Sequence, residues 1–374
     1  MLKKIIIIVL ITIGLFTFFK VNEQNYKKHI EIKNEIINHP ENLPKKEIAK
    51  ATSFGFENLK ADFYRIETIQ YIGANAFHSE YKKYLYAILD LVTELNPYFE
   101  KPYIVGQLLL PSYQKEYEFI SDSEQQGHTN QAVELGLKGV KNFCDPEKIE
   151  LIDKENDLLK IWNNEEFKNP CLSYKVPYYL AYVYYSYKND PITSAKYYKI
   201  SSANTDSPEG AKTMAAIMQG KGGNREKSYF MFLNLAKFIE PENEVCNILG
   251  NELENIGIGT FITKKLNLDG KILKSVEDFR KKAFIDVKQE ELTDDSKCTN
   301  YINKSIRELN LYYIEKNNER YLKDKGENAF DAKILFDNGY LDYLPTDFQQ
   351  SEDYGIIYKF NYDTNHYDYD MGRY

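Results

Sequence analysis

The chain has 374 residues, a net charge of −8, a pI near 5.4 and a mean hydropathy of −0.54. Phosphate binding needs a clustered positive surface, and here Lys and Glu are interspersed, so a nucleic-acid partner is excluded from the expectations. The 32 Tyr, with abundant Lys, Asn and Ile, are the bias an AT-rich genome gives and need no aromatic binding groove to account for them.

Residues 5–19 form an apolar run without charge, preceded by Lys3 and Lys4 and closed by Lys20. Phe18-Phe19-Lys20-Val21-Asn22 offers no small-x-small cleavage pattern, which favours a retained single-pass membrane helix over a cleaved signal that would leave the protein secreted. At 1.5 Å per residue the run covers about 22 Å, short of the ~30 Å hydrocarbon core, so Leu2, Val21 and snorkelling lysines have to complete it. The basic N-terminal end predicts that the rest of the chain lies outside the cytoplasm. Residues 1–22 are therefore read as anchor or signal, and 23–52, broken by Pro40 and Pro44, as a linker.

From Phe54 the pattern turns helical. Leu59, Phe63, Ile66, Ile69 and Ile72 recur at spacings of three and four and share one helical face. Between 53 and 324 helical segments repeat: Tyr84 to Pro97, the Gly127, Ala132, Gly136, Gly139 and Pro146 segment, Pro177 to Pro208, and Ala211 to Pro241 with Gly220, Gly222 and Gly223 at its turn. Pro208 to Pro241 and Ala195 to Ser228 are each 33 positions apart, close to the 34-residue helix-turn-helix unit. Over Phe54 to Pro241 the chain resembles tetratricopeptide repeat (TPR) proteins, with Tyr where the usual Trp stands. Leu43-Pro44, Phe54-Gly55-Phe56, Ala61-Asp62-Phe63 and Ile69-Gln70-Tyr71-Ile72-Gly73 are similar to the opening of bacterial envelope proteins that carry such repeats.

The helix over Thr299 to Tyr321 reads as the closing element of the array, with a polar outer face. Residues 325–374 form a C-terminal cap: a helix stopped at Gly339, a strand over Tyr354 to Tyr362, a turn at Asp363-Thr364-Asn365 and a second strand through Tyr367 and Tyr369. This end is similar to the C-terminal part of pseudopilins. The expected fold class is all-α, a TPR-like α-solenoid of helical hairpins with an N-terminal membrane helix and a small C-terminal β-hairpin.

The resemblance implies a non-enzymatic scaffold that binds a protein or peptide partner in the cell envelope and reaches the membrane through residues 5–19. The alternative is a structural subunit of a pilus- or secretion-related assembly. Tyr103, Tyr178, Tyr179, Tyr182 and Tyr185 fall on first helices, which line the groove in such arrays, and are the candidate partner-binding residues. No catalytic residue, cofactor, metal or small-molecule substrate is expected. The five His have no metal spacing, Gln219-Gly220-Lys221-Gly222-Gly223 lacks the GK[ST] of a phosphate loop, and Asp363, Asn365, Asp368 and Asp370 lack the Gly and terminal Glu of a calcium loop. Cys144, Cys171, Cys246 and Cys298 have no zinc spacing; pairing of Cys144 with Cys171 and of Cys246 with Cys298, or burial as free thiols, both stay open.

Overall fold

A computed structural model describes residues 12–24, 40–75, 81–113, 120–349 and 355–372. The chain divides into two compact units, Met1–Leu135 and Gly136–Tyr374.

The expected membrane helix is corrected here. Residues 5–11 lie outside the described residues, and the described part, 12–24, is helical. Among the described residues no helix is long and apolar enough to cross a membrane. The single-pass, extracytoplasmic placement rested on that helix and falls with it. Of the predicted linker, 25–39 lie outside the described residues.

In the N-terminal unit, α1 (Lys46–Ala51) and α2 (Glu57–Ala74) both pack on α3 (Lys82–Leu95), which in turn packs on α4 (Glu100–Leu109). Leu85, Ile88, Leu89 and Val92 of α3 are buried at the spacing of one helical face. Lys46 and Lys50 pair with Asp90 and Glu94 at 2.5 and 2.6 Å, fixing α1 to α3. Helix α5 (Asp122–Phe143) spans the boundary between the units.

The C-terminal unit continues with α6 (Pro146–Lys154) and α7 (Leu158–Asn163), whose N-cap residues Asp145 and Asp157 accept from the first-turn amides. Next come α8 (Lys175–Lys188), α9 (Pro191–Ser202), α10 (Glu209–Lys221) and α11 (Arg225–Ile239), with α9 packed on α8, α10 on α9 and α11 on α10. These helices repeat in detail. Helices α8 and α10 start 34 positions apart, as do α9 and α11. Ser194 of α9 donates to Ala181 O at 2.8 Å, and Ser228 of α11, 34 positions on, donates to Ala216 O at 2.9 Å. A buried hydroxyl thus holds each second helix against its first.

Helix α12 (Glu244–Gly257) runs into a π-helical turn, Ile258–Ile262. After α13 (Gly270–Ala283) and α14 (Gln289–Thr293), the long α15 (Cys298–Lys325) packs along α11. The expectation that this helix closes the array with a polar outer face does not hold. It is central, and Asn300, Asn303, Arg307, Glu308 and Asn310 are buried with its apolar residues. Arg307, Glu308 and Asn310 are accommodated by partners on neighbouring elements, Asp347, Arg225 and Tyr358, whereas Asn300 Oδ1 and Asn303 Nδ2 are buried with no hydrogen-bond partner among the described residues. Cys144 is bonded to Cys171, and Cys246 in α12 to Cys298 at the start of α15.

After α16 (Ala332–Asp337), β1 (Gly355–Asn361) and β2 (His366–Gly372) form an antiparallel hairpin in which Lys359 faces Asp368. The hairpin packs on α10, α15 and α16 and belongs to the C-terminal unit. Alternation along the strands turns Tyr358 and Tyr367 inward, both fully buried. Tyr358 donates to Asp347 Oδ2 at 3.0 Å and Tyr367 to Ala329 O at 2.7 Å, so neither hydroxyl is stranded.

Candidate functional site

The hairpin is fastened by an ionic centre. Arg225, the first residue of α11, is 3% exposed and reaches both Glu308 (3.1 Å) and Glu315 (2.8 Å), which sit two turns apart on one face of α15. Arg225 also donates to Tyr367 O, and Tyr367 N donates to Glu315 Oε1 at 3.0 Å. The polar backbone of β2 is therefore satisfied by an ion pair instead of a third strand. Beside it, His366 Nδ1 stands 3.5 Å from Glu315, and Lys221 of α10 pairs with Asp368.

These contacts set the charge states. Burial opposes the charge of Arg225, but the two carboxylates outweigh it and hold its proton more tightly than usual. Burial also dominates at Glu308, lifting its carboxyl above the ordinary range although Arg225 pulls it down. At Glu315 the effect of burial is outweighed by Arg225 and His366, and the carboxyl stays below the ordinary range.

Two glycines let the elements meet. A Cβ at Gly220 would lie 2.5 Å from Glu308 Oε1. One at Gly223, where φ is +80°, would lie 2.1 Å from the His366 ring.

A cleft of about 1070 Å³ opens over this centre, within the C-terminal unit. Phe230, Phe261 and Tyr312 give it aromatic walls, with Phe261 and Tyr312 in edge contact at 4.8 Å. Glu226, Lys227, Lys264, Lys316 and Glu319 bring exposed charges of both signs to it. Thr260 in the π-helical turn also lines it, and its buried hydroxyl has no hydrogen-bond partner among the described residues. Arg225 and Glu315 at the base are already committed to each other. The cleft thus offers stacking faces, charges and a hydroxyl around a fixed base, a surface suited to holding a ligand.

The tyrosines singled out in the sequence lie elsewhere. Tyr103 is fully buried in the N-terminal unit, its hydroxyl donating to Pro97 O at 2.9 Å, and so faces no groove. Tyr178, Tyr179 and Tyr185 on α8 are half-buried, and Tyr182 is exposed. They form an aromatic cluster: Tyr178 stands edge-on to Tyr179 (5.5 Å) and Tyr198 (5.2 Å), Tyr182 edge-on to Tyr187 (6.0 Å), and Lys221 lies over the Tyr185 ring (5.8 Å). None of the five lines the cleft. The ionic centre and cleft were missed because charged residues on long helices look solvated in a sequence; the available signal was Glu308 and Glu315 seven positions apart among Ile306, Leu309, Leu311 and Ile314.

Among the described residues no group of three or more His, Cys, Asp or Glu is placed to hold a metal ion. Of the oxygen-rich C-terminal residues, Asp368 is tied to Lys221, and Asp370 stands 3.6 Å from Lys359. Comparison of the chain with protein-family models, with curated proteins and with solved structures gives no match.

Proposed function

We propose that the protein is a binding module, a TPR-like array whose cleft over Arg225 takes an extended segment of a protein partner. The observation that carries this reading is the cleft itself: aromatic walls from α11, the π-helical turn and α15, charges of both signs, and a base immobilised by ion pairs. Such a surface has stacking faces for side chains and polar groups for a peptide backbone, and it needs no rearrangement on binding. The 34-residue recurrence of α8 to α11 supports the repeat reading. The hairpin spends its inward Tyr and its Tyr367 backbone on this chain's own helices, which favours a capping role for it over that of a pilus-type subunit.

Site-specific photo-crosslinking tests the reading. A photoreactive residue at Tyr312 should capture a discrete protein partner from the producing cell, and Phe230→Ala should reduce the capture. Capture from Tyr182 with none from Tyr312 would move the site to the α8 tyrosine cluster. Capture from neither position would overturn the binding role.

A further inference from the structure

In the N-terminal unit α2 and α4 both pack on α3, and an open groove of about 180 Å³ lies between them. Leu89 and Val92 of α3 form its floor, with Ile69 and Ile72 of α2 on one side and Val105 and Leu109 of α4 on the other. Thr68 also lines it, but its hydroxyl is spent on Tyr64 O at 2.6 Å. A space of this size with aliphatic walls suits an apolar ligand better than ordered water.

One end of the groove is different. Arg65 and Lys101 both line it, and the Arg65 guanidinium lies over the ring of Phe99, 5.2 Å from its centre, beside the start of α4. The two cations therefore share an end. Ile72 and Leu109 come about two turns later on their helices, so each wall passes from a cation to an aliphatic side chain over about 10 Å. Among the described residues no carboxylate lines the groove, and neither cation is in an ion pair. A guanidinium stacked on a ring keeps its N–H fork open to a carboxylate. We propose that the groove binds a free medium-chain fatty acid, its carboxylate held by Arg65 and Lys101 and its alkyl chain lying along Leu89 and Val92.

Charge and length select this occupant. The chain's own apolar run, residues 5–19, is bracketed by Lys3, Lys4 and Lys20 and would bring more cations to a basic mouth. A neutral hydrocarbon would leave both cations without a counter-charge. With C–C bonds near 1.5 Å, an extended chain advances ~1.3 Å per carbon, so about eight carbons fill the groove.

Isothermal titration calorimetry of the full-length chain tests this with fatty acids from hexanoate to tetradecanoate, each below its micelle concentration. Affinity should rise about threefold per added methylene and level off near eight carbons, at one ligand per chain. Arg65→Gln/Lys101→Gln should weaken octanoate about tenfold and leave 1-octanol unchanged. Val105→Trp fills the groove and should abolish binding of both, with circular dichroism to check that the variant is folded. Phe63→Ser, on the exposed side of α2 and outside the groove, is the control and should bind as the parent does. No octanoate binding by the parent would overturn the proposal. So would an affinity that climbs without a break to fourteen carbons, the behaviour of partition onto exposed apolar surface. Binding to phosphatidylglycerol vesicles without binding to octanoate would also overturn it and assign the groove to a membrane lipid.

Discussion

Arg307 and Asp347 meet fork to fork inside the C-terminal unit, Nε to Oδ2 and Nη2 to Oδ1 both at 2.7 Å, with their side chains 4% and 1% exposed. Tyr358 donates to the same carboxylate, and the guanidinium lies 4.0 Å from the Tyr369 ring centre and 4.7 Å from that of Phe348. The pair therefore joins α15, the segment before the hairpin, and both strands. Asp347→Ala leaves a buried guanidinium without its counter-ion, a change that costs about 3–5 kcal/mol. Arg307→Lys loses the two-pronged geometry and should also destabilise. Urea unfolding checks both, and an Asp347→Ala chain as stable as the parent would show that the pair does not hold the hairpin.

Gly223 combines a left-handed backbone with contact against His366, so Gly223→Ala meets two penalties. Its expected cost is about 2 kcal/mol or more, from backbone strain plus displacement of the imidazole. His366→Ala in the same chain removes the collision and leaves the strain. The double variant should thus recover part, and only part, of the stability lost by Gly223→Ala. Additive losses in this cycle would mean that the two residues do not touch in solution.

The repeat and the hairpin were legible in the sequence because local chemistry specifies both. Gly220 to Gly223 sits where α10 turns into α11, and Asp363 to Asn365 where β1 turns into β2. The spacing of 33 read between Ala195 and Ser228 is off by one; the hydroxyl contacts pair Ser194 with Ser228. The centrality of α15 was not legible. Arg307 and Glu308 have the composition of a solvated surface, and their burial depends on Asp347 and Arg225, forty and eighty-three positions away. Nor does periodicity say which way a stripe faces: Leu59, Phe63, Ile66 and Ile69 share a face as the spacing requires, but that face points to solvent.

The two disulfides close loops of different length, 27 and 52 residues. In the chain-entropy model they stabilise by about 3.5 and 4 kcal/mol. Cys246–Cys298 also joins α12 to α15, the helix carrying the ionic centre, whereas Cys144–Cys171 joins the end of α5 to the segment before α8. Cys246→Ser/Cys298→Ser should lower the unfolding midpoint at least as much as Cys144→Ser/Cys171→Ser, and dithiothreitol should have no further effect once both pairs are removed. A larger loss from the shorter loop would show that strain or local packing outweighs loop closure.

Lys199 gives the chain a pH dependence of unusual sign. It is 3% exposed in α9, and its ammonium donates to Asp153 O (2.9 Å) and Glu155 O (2.7 Å) at the C-terminal end of α6, where the helix presents unsatisfied carbonyls. Burial nonetheless pushes its pKa down from 10.5 to about 8. Below pH 8 the amine is protonated in both folded and unfolded chains, and the full desolvation cost, about 3 kcal/mol, is present. Between pH 8 and 10.5 the unfolded chain binds more protons than the folded one, so this group makes the chain more stable as pH rises. Lys199→Met has no such proton to lose. The stability of the parent minus that of Lys199→Met should therefore increase from pH 8 to 10.5, measured by urea unfolding at each pH, and stay level between pH 6 and 7. A difference that is flat through pH 10.5 would mean that Lys199 keeps an ordinary pKa and that the two carbonyls hold it charged at no net cost.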